Sequence, residues 1–482
     1  GRTATPVYHL AKPVTVAARG QAFSFDYAST VDGCTLTLFS AKKTTLKQVS
    51  LPATGGSDLR YLVPVEPGAT IWGYQLSANA GQGSLTAKGA GTAPFVHGFL
   101  VGEKELTVDG SVEVLSASAG AVKARIPAAT RQEMESGLWC VTLLPHEGAA
   151  GGRVVFTDSE GKQATFEVNP AATPARLDFA RGSLPFLPVS VDYEGTLRGM
   201  EISQVGADAP LPADPGLVLT WDRSTWRKPD YEVFAWSRYP QVLILDTASY
   251  EVQDAMLKRI AFYVEKAGHA GKLESFADLA RQHGYNAHDY RAEDLARFFS
   301  AAGGDLSPEE AALEKLLVGN GIIRGSGSSF TPGEGSILSI SRSSSPLLRD
   351  LLLTHECFHG IYFSVPGFRD ATEALWASLS SVEQQVWLSY LGSHAYDTTD
   401  HYLVVNEFQS YLMQQERNGV WGFTSKTLEG MKAEGGRAAS LARQLAATHA
   451  TSFLRSFDAL DEALQSAGGP PGGQAISVKM VP

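Results

Sequence analysis

The period of the hydrophobic pattern changes near residue 246, and this change constrains the fold more than any other feature of the chain. Ahead of it, apolar residues alternate with polar ones in short runs, the pattern of half-buried strands. Behind it, apolar residues recur every three or four positions, the pattern of helices with one buried face. Strands first and helices afterwards predict β modules ahead of an α-rich α+β domain. The length, 482 residues, corresponds to roughly three domains at ~100–200 residues each.

Residues 1–97 read as a β-sandwich module. The segments Ala22–Tyr27, Cys34–Phe39 and Tyr61–Val65 are separated by Gly, Asp and Ser clusters at short spacing. Residues 98–235 read as a second β module with a Pro-rich connector. Within it, Glu105–Val108 and Val112–Leu115 flank Asp109-Gly110 and predict a hairpin. Arg153–Thr157 and Gln163–Val168 predict another. The aromatic stretch from Trp221 to Tyr231 reads either as interdomain packing or as a ledge facing a substrate. Residues 236–467 form the α-rich domain. It opens on the buried strand Val242–Asp246, with helices expected at about 250–267, 272–282, 290–302 and 308–318. Strands are expected at Gly321–Arg324 and Ser336–Ser341. Residues 468–482, rich in Gly and Pro, read as a tail.

Composition narrows the partners. Lys and Arg number 40 against 51 Asp and Glu, a net charge of −11. Nucleic acid needs a basic field, so it is not the expected partner. No apolar run approaches the ~18–20 residues of a membrane span. The opening Gly1-Arg2-Thr3 has no basic-then-apolar leader, and a trimmed secreted chain would read the same way. The three cysteines, Cys34, Cys140 and Cys357, are too scattered for a disulfide framework.

The chemistry concentrates in Thr354-His355-Glu356-Cys357-Phe358-His359-Gly360. Ser345-Pro346 starts a helix that Leu347, Leu348, Leu351 and Leu352 continue. On a helix, side chains four apart share a face, so both imidazoles reach one ion. Glu356 then stands where it takes a proton from a water at that ion. Two unpaired histidines among apolar residues are costly to bury, and a metal satisfies them. Zinc needs a third protein ligand and an open position. Glu407, among Leu403, Val404, Val405, Phe408, Leu412 and Met413, is the best candidate, with His394 and His401 as rivals. Glu373 and Glu383 read as surface residues. His283 and His288 flank Tyr285 and read as structural. Pro145-His146-Glu147-Gly148 reads as a loop.

His355-Glu356-x-x-His359, followed by Asn406-Glu407-x-x-Ser410, resembles the gluzincins, the zinc metallopeptidases typified by thermolysin. The resemblance covers about 70 residues and implies His355, His359 and Glu407 as zinc ligands, with Glu356 as general base. It also implies that Ser336–Ser341 is the edge strand on which substrate backbone pairs. Two features depart from that pattern. Tyr411 stands where such enzymes place an Asp that orients a zinc histidine. No Tyr follows Tyr411 to stabilise the oxyanion, which leaves His394, Tyr396, His401 and Tyr402 as candidates.

The sequence therefore predicts a zinc-dependent metallopeptidase acting on a peptide or protein, glycosylated or at a cell surface among the options. By analogy with other enzymes carrying β modules, its setting is extracytoplasmic. Two other readings remain at this stage: an adhesion or glycan-binding protein with a vestigial site, and a zinc hydrolase of a non-peptide amide.

Overall fold

The structure is a computed structural model. It describes residues 2–481 apart from 17–20, 32–33, 52–57, 64, 67, 80–82, 95–97, 102–105, 109–110, 119, 136, 147–150 and 283. Two compact units are present: Gly1–Glu167 with Ala175–Ala207 and Val481–Pro482, and Val168–Pro174 with Asp208–Met480.

Alternation in the first unit builds sheets whose inner faces meet. Gln21–Ser29 lies between Asp58–Val63 and Leu85–Pro94, all antiparallel. Thr70–Asn79 lies between Cys34–Phe39 on one side and Tyr8–Thr15 and Arg2–Ala4 on the other. Phe23, Phe25 and Tyr27 from one sheet and Leu36, Leu38, Ile71 and Leu76 from the other share one core, as in a sandwich. Further along, Phe156 packs edge-on and Phe166 tilted against Phe179 of another sheet, with centroids 4.8 and 5.0 Å away. Each such fully buried ring contributes roughly 1.5–3 kcal/mol. The hairpin of Arg153–Thr157 with Gln163–Val168 is present in register. The one expected around Asp109-Gly110 is not formed. Leu106–Val108 pairs with Gly98–Val101 and Asp58–Val63, whereas Glu113–Ser118 pairs with Ala121–Arg125. The Asp109-Gly110 dipeptide itself lies outside the described residues.

The second unit begins earlier than the sequence pattern indicates. A boundary at 235 would cut the strand Tyr231–Trp236, which pairs with both Leu211–Ala213 and Tyr239–Thr247. Trp221, from the aromatic stretch, is buried against Phe234 at 4.9 Å, so it serves the core of this unit and is not a ledge. The C-terminal stretch is not a free tail. The backbone N–H groups of Ser477 and Val478 donate to the buried Asp214 carboxylate, and that of Gly473 donates to the Met413 carbonyl.

Ser336–Ser341 runs parallel to Tyr239–Thr247 and antiparallel to His288–Arg291. Both faces of this sheet are covered: Val242–Leu245 is an unbroken apolar run, and every residue of Ser336–Ser341, serines included, is buried. Leu243, Leu245 and Ile337 face a core built with Met256, Leu257 and Ile260 of the helix Tyr250–Val264 and Leu295, Phe298 and Phe299 of the helix Ala292–Ala302. On the other face Gly360 lies so close that a Cβ there would sit 3.0 Å from Val242 and 3.3 Å from Leu338. That glycine lets the motif helix, Pro346–Ser364, lie flat on the sheet. Among the described residues, no helix is long and apolar enough to cross a membrane.

The helix expected at 272–282 is absent, and the segment forms turns. Of its side chains only Leu279 is fully buried, so no apolar stripe holds a helix in place. Ser336–Ser341 is not an edge strand, because it is paired on both sides. The terminal strand of the sheet is His288–Arg291.

Candidate metal centre

Ser345 caps the motif helix by accepting from the Leu348 N–H, with Pro346 at the first position. A second helix, His401–Met413, is capped by Asp400, which accepts from Leu403. Short polar bonds hold the two helices together. Ser410 Oγ donates to the His355 carbonyl at 3.2 Å, and Gln409 Nε2 donates to the Phe358 carbonyl at 3.2 Å. These two bonds fix one helix against the other and place Glu407 beside the two histidines.

Three ligand atoms converge. His359 Nε2 is 3.1 Å from His355 Nε2. Glu407 Oε2 is 3.5 Å from His355 Nε2, and its Oε1 is 3.6 Å from His359 Nε2. A tetrahedral ion with bonds of ~2.0–2.1 Å holds its donors about 3.3–3.4 Å apart. All three residues are buried, with His355 7%, His359 0% and Glu407 1% exposed. Two facing imidazole nitrogens repel through their lone pairs unless a proton or a cation stands between them. One proton satisfies one pair, whereas a cation satisfies both nitrogens and the carboxylate.

The surrounding charge has the same implication. Glu356 is 4% exposed, and its Oε2 has no hydrogen-bond partner; the same holds for Glu407 Oε2 and His359 Nδ1. Burial, then Glu407 and Glu265, push the Glu356 carboxyl well above the usual carboxylate range. Burial, then Glu356, Glu265 and Glu407, do the same to Asp289. Burial also works to raise Glu407. His359, His355 and a hydrogen bond from Tyr396 outweigh it, so Glu407 is held below its ordinary value. Burial lowers His359 to about 4, leaving its ring neutral and able to ligate near neutral pH. Four carboxyl groups (Glu265, Asp289, Glu356, Glu407) crowd around two imidazoles, and a divalent cation among them would favour their ionised forms. Donor types, spacing and unpartnered atoms all fit a metal held by His355, His359 and Glu407.

The rivals do not join this cluster. His401 is exposed and bonds Glu373 at 2.8 Å, and His394 is exposed with Nδ1 on the Tyr390 carbonyl. Glu383, expected at the surface, is buried. It accepts from Ser452 Oγ at 2.6 Å and Arg455 at 2.9 Å, and closes its own capping box. Glu373 accepts from the Tyr362 hydroxyl. The partner of His355 is not Tyr411 but Gln414, whose Oε1 lies 3.0 Å from His355 Nδ1. Tyr411 packs its ring edge-on to His355 at 4.7 Å. The residue beside His359 Nδ1 is Asp289, 3.5 Å away on the terminal strand and tied to Asn406 Nδ2 at 3.3 Å.

Asp289, Gln414 and Glu265 escaped the sequence reading. One available signal was Asp289 itself, an acid alternating with His288 and Tyr290, which pair with each other at 2.9 Å on the opposite face of the strand. His288 is buried with Nδ1 on the Tyr290 hydroxyl; His283 lies outside the described residues. No model of a known protein family matches the chain, and no curated protein matches it.

Proposed function

We propose that the second unit is a zincin-like, zinc-dependent hydrolase of peptide bonds, with a centre of the gluzincin kind. The convergence of His355, His359 and Glu407 beside the unpartnered carboxyl oxygen of Glu356 carries this reading. Zinc, when bound, polarises a carbonyl and acidifies water. The protein's own residues do the remaining work. His355, His359 and Glu407 hold the ion, with Gln414 fixing the tautomer of His355 and Asp289 facing Nδ1 of His359. Glu356 accepts a proton from the attacking water and passes it to the amine as the C–N bond breaks. An extended peptide adds to the terminal strand His288–Arg291, which carries Asp289 toward His359.

The test is hydrolysis of an internally quenched peptide library by the zinc-loaded protein, wild type beside Glu356→Gln. Cleavage by the wild type with several orders of magnitude lost in the variant, at equal zinc content, supports the proposal. Zinc bound with no peptide cut refutes it.

A further inference from the structure

The phenols around the two histidines differ in what their hydroxyls do. Tyr290 is bonded to His288 Nδ1. Tyr396 and Tyr411 both lie in the field of the ligand Glu407. Tyr285 is different: its hydroxyl is buried and has no partner. A buried, unpaired hydroxyl costs about 1–3 kcal/mol, so a fold that keeps one calls for a reason.

The position of Tyr285 is fixed. Its ring stacks on Tyr396 with centroids 5.5 Å apart and planes 20° from parallel. The Lys266 ammonium sits 3.3 Å from its centroid. Tyr396 in turn stands within the field of the ligand Glu407, so one residue separates the Tyr285 ring from the metal ligands. The residue lies just ahead of the terminal strand that carries Asp289. The fields of Glu265, Glu407 and Asp289 reach its hydroxyl, and burial with those charges keeps the phenol protonated, hence a donor. Two oxyanion candidates named from sequence are engaged elsewhere: His401 is on Glu373 and His394 on the Tyr390 carbonyl. Tyr402 stands in the fields of Arg291, Asp294, Arg369 and Glu293 and not of the carboxyl groups around the two histidines.

We infer that Tyr285 is the oxyanion donor of this site: its hydroxyl hydrogen-bonds the carbonyl oxygen of the substrate as that oxygen gains charge. This rests on the hydrolase reading. Water oxygen bonds to the carbonyl carbon, the π pair moves to the carbonyl oxygen, and Glu356 takes the water proton. When the π bond re-forms, the C–N bond breaks and the amine leaves with that proton. Tyr285 donates throughout and keeps its own proton.

Tyr285→Phe keeps the ring on Tyr396 and under Lys266 and removes only the hydroxyl. The variant should hold wild-type zinc and melt with the wild type, while kcat on the peptide library falls about 10²–10³-fold with KM little changed. A readout without turnover uses the phosphinic isostere of benzyloxycarbonyl-Phe-Ala amide, whose phosphinate oxygens occupy the oxyanion position. Calorimetry should show it binding the zinc-loaded wild type at least tenfold more tightly than the variant. Equal affinity for the two proteins, including no binding to either, overturns the assignment of Tyr285. Failure of the wild type to cut peptides refutes the hydrolase reading instead, and the phosphinate comparison still decides the role of Tyr285.

Discussion

Nδ1 of His355 lies 3.0 Å from Oε1 of Gln414, so the ring donates there and turns Nε2 toward His359 and Glu407. A partner of this kind sets both tautomer and ring angle. Gln414→Ala should therefore weaken zinc binding by about 10–100-fold, and Gln414→Glu should preserve it, because a carboxylate accepts the same proton. Competition with a chromophoric chelator measures both. Unchanged affinity in the alanine variant would remove Gln414 from the centre.

Glu407 supplies the only carboxylate in the three-ligand set. Glu407→Ala should release zinc far more readily, leaving two imidazoles. Glu407→Gln should weaken binding less, since an amide oxygen still coordinates without charge. If both variants keep wild-type affinity and differ from wild type in stability by no more than about 0.5 kcal/mol, Glu407 is an ordinary helix residue.

Away from the metal, Asp246 is fully buried at the end of its strand, bonded to Arg349 at 2.8 and 3.0 Å and to Arg342 at 2.7 Å. Asp246→Ala would strand the buried Arg349 guanidinium without a counter-charge. Urea unfolding should show a loss of about 3–5 kcal/mol. A loss below about 0.5 kcal/mol would mean that water reaches Arg349 once the carboxylate is gone.

Cys34, Cys140 and Cys357 are all free and buried. Burial pushes the thiols of Cys140 and Cys357 well above their ordinary range, which suppresses thiolate. A thiol reagent should label none of the three in the native protein and all three in denaturant, with or without prior reduction. Two thiols missing in denaturant would reveal a disulfide.

What the sequence made legible was local. The helix expected at about 308–318 is present as Pro308–Gly319, and Ser307 and Glu310 make both reciprocal bonds of a capping box at its start. The motif helix and the Glu407 helix were readable because caps and apolar spacing sit within a few residues of each other. What escaped was set by pairing across the chain. Ser336–Ser341 looks the same in sequence whether it ends a sheet or lies inside one, and the four-residue strand His288–Arg291 is too short to announce itself. Gln414 reaches His355 only because two helices cross, a relation with no local signature. The Asp109-Gly110 turn signal was overridden by strands from elsewhere in the unit. A surface Glu and the buried Glu383 read alike until Ser452 and Arg455 arrive from a later helix.

In the proposed centre His355, His359 and Glu407 together hold one zinc ion. Metal analysis of the purified protein, wild type beside His359→Ala, puts this to the test. About one zinc per chain is expected in the wild type and little in the variant, because the two remaining ligands hold zinc poorly. Equal zinc in the two proteins, or none in a wild type supplied with it, would rule this ligand set out.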